Sequence, residues 1–363
     1  MSEIAATAER AAAGSPSAGG PAETQGDARA RVGGTTIPGR EARARLGGAA
    51  ILSVATELPP GRLTNADLAS RLGVSEEWIL SRTGIKERGQ VRPEERLSDY
   101  AARVGARALE LAGVQAQEID LVLVATMSQD ELTPNTAPLV AHALGTNAGG
   151  IDIGAACTGF ISGLALGAAL IESDRAAKVL LVGADFITRI TDYEDKRTAA
   201  LFADAAGAVV LGAAGAGAGA IGPVVLGSDG SHAATLNATH AERKIRMDGP
   251  AVFRHAIDRM GEVTLKAIDK AGLSLDDIDL FVYHQANARI TRGLGERLQL
   301  PPERVVDCIE SLGNASAATV PVALAAAQRD GRLRAGARVL LSAFGAGFTW
   351  GGAVIEWGAV PSA

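Results

Sequence analysis

"EIDLVLVATMSQ" (118–129) and "DIDLFVYHQANA" (277–288) both start from Ile-Asp-Leu, run through a short apolar segment and end in polar residues. Each follows a stretch closing on "AGV" (112–114) or "AGL" (271–273). A short apolar run bounded by turn residues reads as a buried strand. Downstream of the first come "VAHALG" (140–145), "IDIGAACTGFISGLALGAALIE" (151–172) and "KVLLVGAD" (178–185). Downstream of the second, in the same order, come "GERLQL" (295–300), "SLGNASAATVPVALAAAQ" (311–328) and "ARVLLSAFGAG" (337–347). Ile119 lies 38 residues before Cys157, and Ile278 lies 36 before Asn314. Any two βαβ units share some of this pattern. The matched order and spacing predict an internal duplication.

The rest of the chain agrees with an α/β layered fold. "AAGAVVLG" (205–212) reads as a further buried strand, and "LSDYAARVGARALELAGV" (97–114) has the helical period with Gly113 as its stop. "AAGAGAGAIGP" (213–223) suits a boundary or surface turn between the copies. The expected division is therefore 1–48, 49–218 and 219–363. Residues 1–48 lack aromatic residues, show no sustained apolar period and are rich in Ala, Gly, Ser, Pro and Arg. Such a segment buries too little surface to offset its ordering entropy, so a disordered tail is expected there, and it has no apolar core of the signal-peptide kind.

The chain has 363 residues, 47% hydrophobic and 21% charged, as in soluble globular enzymes. Its net charge of -6 argues against nucleic acid or an anionic membrane as the main partner. The one membrane-like run, Ala155 to Ile171, is shorter than the roughly 20 residues that a span needs. Two cysteines, Cys157 and Cys308, make no disulfide framework, so a reducing cytoplasm is expected.

Cys157 opens a segment with no charge until Glu172, in which Gly159, Gly163 and Gly167 recur every four residues. That helix is expected to be buried all round. A cysteine in its first turn would face unpaired N–H groups, which favour the nucleophilic thiolate. Cysteine is also a common inert buried residue, and this segment alone leaves both readings open. His284 sits where a strand ends, and Asn314, taken alone, would be a helix N-cap. His142, His232, His240 and His255 read as structural, and Cys308 in "VVDCIE" reads as core.

Four motifs change this reading together: "GAACTGF", "YHQANAR", "SLGNASAAT" and "AFGAGFTWGG" (343–352). In order and spacing they resemble the thiolase-fold condensing enzymes, most closely the β-ketoacyl-acyl-carrier-protein synthase III family, over about residues 49 to 358. "EEWILSRTGIKER" (76–88) and "IRMDGPAVFRHAI" (245–257) are similar to that family as well. The resemblance implies a layered αβαβα fold of two pseudo-equivalent halves, the first with the nucleophile and the second with the histidine and asparagine. It implies condensation of an acyl-CoA primer with malonyl-ACP through an acyl-Cys157 intermediate, with no cofactor beyond these substrates. His284 and Asn314 would stabilise the enolate left by decarboxylation. The backbone N–H groups of Cys157 and Ala346 would form the oxyanion hole, and Phe344 would assist decarboxylation.

The resemblance further assigns Trp78, Arg82, Lys196 and Asn287 to CoA, and Arg289 to docking of the acidic carrier protein. Arg292, one turn on, would extend a basic stripe. Leu132, Thr133 and Leu201 are primer-pocket candidates on the same basis, and a homodimer is implied. Three positions depart from the family pattern. Lys196, followed by Arg197, replaces the usual arginine; Pro250 replaces a polar residue; Ala205 replaces a glycine. An acyltransferase on the same scaffold, acting without decarboxylation, is the rival expectation.

Overall fold

The structure, a computed structural model, describes residues 48–217 and 219–361. The tail expected over 1–48 lies, Gly48 apart, outside the described residues. The described chain runs β1 (Ala49–Glu57), β2 (Arg62–Thr64), α1 (Asn65–Leu72), α2 (Glu76–Thr83), β3 (Glu87–Gly89), α3 (Leu97–Ala112), β4 (Leu121–Ala125), α4 (Thr136–Ala143), β5 (Gly149–Ile153), α5 (Gly159–Glu172), β6 (Val179–Phe186) and β7 (Asp204–Ala213). It continues with β8 (Gly219–Ser228), β9 (Leu236–Ala238), β10 (Ile245–Met247), α6 (Gly249–Lys270), β11 (Leu280–Tyr283), α7 (Ala288–Leu298), α8 (Ile309–Leu312), α9 (Thr319–Arg329), β12 (Arg338–Gly345) and β13 (Thr349–Trp357).

Two mixed sheets dominate. The first has the order β1-β7-β6-β4-β5, and the second, read from its β8 edge, has β8-β13-β12-β11. In the first, β1/β7 and β7/β6 are antiparallel, and β6/β4 and β4/β5 are parallel. In the second, β8/β13 and β13/β12 are antiparallel and β12/β11 is parallel. A parallel bridge from Phe281 to Val305 stands where the first sheet has β5.

Burial explains the composition of these strands. β6 is buried at every position, which requires cover on both faces and hence the continuous apolar run from Val179 to Val182. Helices α5 and α9 fill the space between the sheets. Phe160, Leu164, Val320 and Leu324 share one core with Leu123, Val209, Val282, Leu341 and Ile355. Outside the first sheet lie α3 and α4, sealed by Leu97, Val104, Val140 and Val182. Outside the second lie α6 and α7, sealed by Met260, Ile290, Leu294 and Phe344. The layers therefore alternate αβαβα. Gly163 and Gly167 permit α5 to lie this close: a Cβ on either would come within 2.6 Å of Leu181 or Leu211.

Helix α3 ends at Ala112, and Gly113 takes the left-handed cap with φ 64°, as expected. The stretch 213–223 behaves differently from expectation. Only its first part turns, and from Gly219 onward it is strand β8, paired along β13 with Ile221 opposite Ile355. Small residues there fit beneath a neighbouring strand: a Cβ on Gly219 would lie 2.2 Å from Glu356 O.

Candidate active site

Cys157 sits in a 3-10 turn, Ala156–Thr158, between β5 and α5. The residue is buried, at 9% exposure. Burial pushes the thiol up to about 12, with Asp185 adding to the rise and a hydrogen bond from the Ser316 hydroxyl opposing it. The sequence left reactive and inert readings of this cysteine open, and burial works against the thiolate that a helix start favours. Desolvation is the largest of these influences and favours the neutral thiol. Gly345, at the end of β12, approaches the Cys157 backbone so closely that a Cβ there would lie 2.8 Å from Cys157 N. Ala346 follows in the turn between β12 and β13, half-buried.

His284 continues from β11 and is held by its backbone N–H to Ser342 O at 2.8 Å. Its side chain is 2% exposed, and desolvation pushes the imidazole down to about 3, so the ring is neutral. Nδ1 lies 2.5 Å from Thr319 Oγ1, which leaves Nε2 for the cavity. The neighbouring Gln285 is wholly structural. Its amide donates to Tyr283 O and Val306 O and accepts from Cys308 N–H.

Asn314 stands on a parallel bridge to Phe202, with Asn314 N–H donating to Leu201 O and its own O accepting from Ala203 N–H, both at 2.9 Å. Its Oδ1 accepts the Ser316 N–H at 3.0 Å. The carboxamide oxygen is thus turned back into the loop, and the NH2 end is left for the cavity, an orientation assigned from this hydrogen bond.

All three side chains line one cavity of about 500 Å³. Its wall holds Phe344, Leu201, Met260 and Val252, and its mouth holds Trp78, Arg82, Lys196, Arg254 and Arg289. At the mouth, the Arg82 guanidinium stacks 4.4 Å from the Trp78 ring centroid. Helix α2 reaches this place because Gly84, at φ 72°, lets it abut Ala288 at the start of α7. Asn287 lines the cavity and caps α7, its Oδ1 accepting the Arg289 N–H at 2.8 Å and its amide donating to Arg82 O at 3.0 Å. Arg197 lines the same cavity beside Lys196, with its guanidinium paired to Asp195. Pro250 stands in the first turn of α6, where a missing N–H costs no helical hydrogen bond. Ala205 is fully buried in β7 opposite Asp185.

The structure does not bring every candidate residue to this cavity. Leu132 is 80% exposed and Thr133 is exposed; neither lines this cavity, whereas Leu201 does. Arg292 faces a separate groove along α7 with Thr291, Glu296 and Asp307, so it does not share the mouth with Arg289. His232 and His255 pack together, with ring centroids 4.4 Å apart, in keeping with a structural role. Both pack within 5.2 Å of the Phe348 ring, itself 4.7 Å from Phe344. The residues that sequence reasoning missed are Arg254, Val252 and Met260 on α6, and Ser316, Thr319 and Asp185 around the two small turns. The quoted motif 245–257 had pointed toward α6, but helical period alone cannot say which face meets the cavity.

Two sheets of one build, closed around a buried cysteine, imidazole and carboxamide, define a thiolase-like α/β enzyme. The family model for 3-oxoacyl-[acyl-carrier-protein (ACP)] synthase III matches residues 151–230, and the model for its C-terminal region matches 268–357. A β-ketoacyl-[acyl-carrier-protein] synthase III of Listeria welshimeri is 41% identical over 311 residues, 85% of this chain and 99% of the relative. The crystal structure of the Thermus thermophilus β-ketoacyl-[acyl carrier protein] synthase III is 42% identical, with a TM-score of 0.83 over 85% of this chain and 99% of that one. A priming β-ketosynthase of a polyketide biosynthetic pathway is 35% identical, with a TM-score of 0.82 over 86% of this chain and 98% of that one. The chain belongs to the β-ketoacyl-[acyl-carrier-protein] synthase III family.

Proposed function

We propose that this chain condenses an acyl-CoA primer with malonyl-ACP, starting fatty acid or polyketide synthesis. The observation that carries the reading is the sharing of one apolar cavity by Cys157, Nε2 of His284 and the NH2 end of Asn314. Cys157 attacks the primer thioester, and its proton ends on the departing CoA sulfur. The neutral resting thiol makes deprotonation part of that attack. Backbone N–H groups of Cys157 and Ala346 receive the developing oxyanion; the closeness of Gly345 to Cys157 supports this placement.

Malonyl-ACP then loses CO2, and negative charge moves onto its thioester oxygen. Two neutral N–H donors, from His284 and Asn314, stabilise that enolate without a cofactor. Phe344, at the wall, keeps the leaving carboxylate poorly solvated. The enolate carbon attacks the acyl-Cys157 carbonyl, the C–S bond breaks, and β-ketoacyl-ACP leaves.

Trp78 and Arg82 hold the nucleotide of CoA, Lys196 its phosphates and Asn287 its pantetheine arm. Arg289 meets the acidic carrier protein, and Arg292 extends that contact along α7. The halves 49–218 and 219–363 divide the labour, one holding the thiol and the other the donors. The enzyme acts in the cytoplasm as a homodimer. The dimer reading is supported by β5, an edge strand with Ile151 47% exposed, and by Leu226 on β8, 50% exposed. Among the described residues, no helix is long and apolar enough to cross a membrane.

The test separates the two steps. Cys157→Ala abolishes transfer of labelled acyl groups from CoA to protein, while His284→Ala and Asn314→Ala slow malonyl-ACP decarboxylation more than acyl loading. Equal losses in both assays would contradict the enolate role.

A further inference from the structure

Resting on the reading of His284 as an enolate donor, we propose that Thr319 is a positioning residue for decarboxylation. Its hydroxyl donates to Nδ1 of His284 and so holds the proton of the neutral imidazole on Nε2, facing the substrate. A neutral imidazole has one N–H, and which nitrogen carries it is decided by the partner of the other. Burial keeps this ring neutral, with the imidazole down to about 3. Among the described residues, the hydrogen-bond partner of Nδ1 is Thr319 Oγ1, at 2.5 Å.

Thr319 Oγ1 has one hydrogen and two acceptors in reach, Nδ1 at 2.5 Å and Ser316 O at 3.0 Å. Ser316 O already accepts the backbone N–H of Thr319 itself. Its need is met, while Nδ1 has no second partner among the described residues. The Gln285 N–H, at 3.4 Å, approaches a lone pair of the same hydroxyl and leaves its hydrogen free for Nδ1. Thr319 is 0% and His284 2% exposed, so both groups are shielded from bulk solvent. The fold provides this contact because Thr319 is the first residue of α9, directly after the turn that carries Asn314 and Ser316. One short segment thus places the Asn314 NH2 and sets the tautomer of His284.

The test compares Thr319→Val, which keeps the shape and removes the hydroxyl, with Thr319→Ser, which keeps the hydroxyl. Malonyl-ACP decarboxylation, acyl loading of Cys157 and the 15N shifts of labelled His284 are measured on each intact enzyme. Thr319→Val is expected to lose about tenfold more in decarboxylation than in loading, with His284 no longer held as Nε2–H. Thr319→Ser is expected to restore both the ratio and the tautomer. A parent enzyme whose His284 carries its proton on Nδ1 would overturn the proposal, as would a Thr319→Val enzyme losing both activities in proportion. If Thr319→Val changes nothing while His284→Ala still removes decarboxylation, only the role of Thr319 fails. If His284→Ala leaves decarboxylation intact, the enolate reading fails with it.

Discussion

Ala156 and Ser316 adopt left-handed backbone at φ 46° and 51°, each opening a 3-10 turn that leads into a helix between the two sheets. The turns Ala156–Thr158 and Ser316–Ala318 enter α5 and α9 in the same way. Residue by residue, the partner of Cys157 is therefore Ala317, while Asn314 lies just ahead of the second turn. Both turns spend conformational strain at the site, and the first spends it to present the thiol. Replacing Ala156 by valine adds a β-branched side chain at positive φ, a cost of roughly 1–2 kcal/mol or more. Ala156→Val is expected to lower the urea midpoint and slow acyl loading at least tenfold, whereas Ala156→Gly keeps both.

Gly345 and Cys157 approach each other closely through their backbones. Gly345→Ala would place a Cβ 2.8 Å from Cys157 N, against backbone that has no room to yield. With a donor of the proposed oxyanion hole displaced, acyl loading is expected to fall about a hundredfold. Stopped-flow measurement of CoA release checks it, with circular dichroism confirming an intact fold.

The neutral, buried His284 makes stability depend on pH. Its folded value, about 3, lies below the ordinary 6.5. Between these two values the unfolded chain binds a proton that the folded chain does not, so folding weakens as pH falls from 6.5 toward 3. The full effect is on the order of several kcal/mol. His284→Gln, which does not titrate, is expected to lose correspondingly less stability over that window in urea titrations at pH 7 and pH 4.

Arg88 is fully buried without a carboxylate partner among its hydrogen bonds. Its guanidinium instead donates to Ala200 O at 2.7 Å and Asn65 Oδ1 at 2.7 Å. Burial lowers it to about 10, so it is charged at neutral pH. It anchors the segment that carries Leu201 and bridges to Asn314. Arg88→Met would leave those acceptors unpaired and is expected to cost about 3 kcal/mol in denaturant unfolding.

The parts of this protein that sequence showed were those with a local cause. The strands at 121–125, 179–186 and 204–213, and helix α3 with its Gly113 cap, follow from period and turn chemistry over a few residues. The repeated order of elements anticipated the common strand order of the two sheets. What escaped depends on partners far along the chain. The thiol of Cys157 is raised by burial that α5 and β12 together create, and no helix-start argument contains that desolvation. Strand β8 was hidden in a run of glycine and alanine because its register is set by β13, more than a hundred residues later. Thr319 looked like any residue of an apolar helix until it stood against the ring of His284, 35 positions away.

The central claim is that acyl groups pass through Cys157 and leave by condensation with loss of CO2. Mass spectrometry of the intact enzyme after acyl-CoA, followed by malonyl-ACP, tests it directly. The account predicts one acyl group on the peptide containing Cys157, discharged by malonyl-ACP with one CO2 for each β-ketoacyl-ACP formed. An acyl group on Cys308 or on no residue, or discharge onto the carrier without CO2, would contradict it.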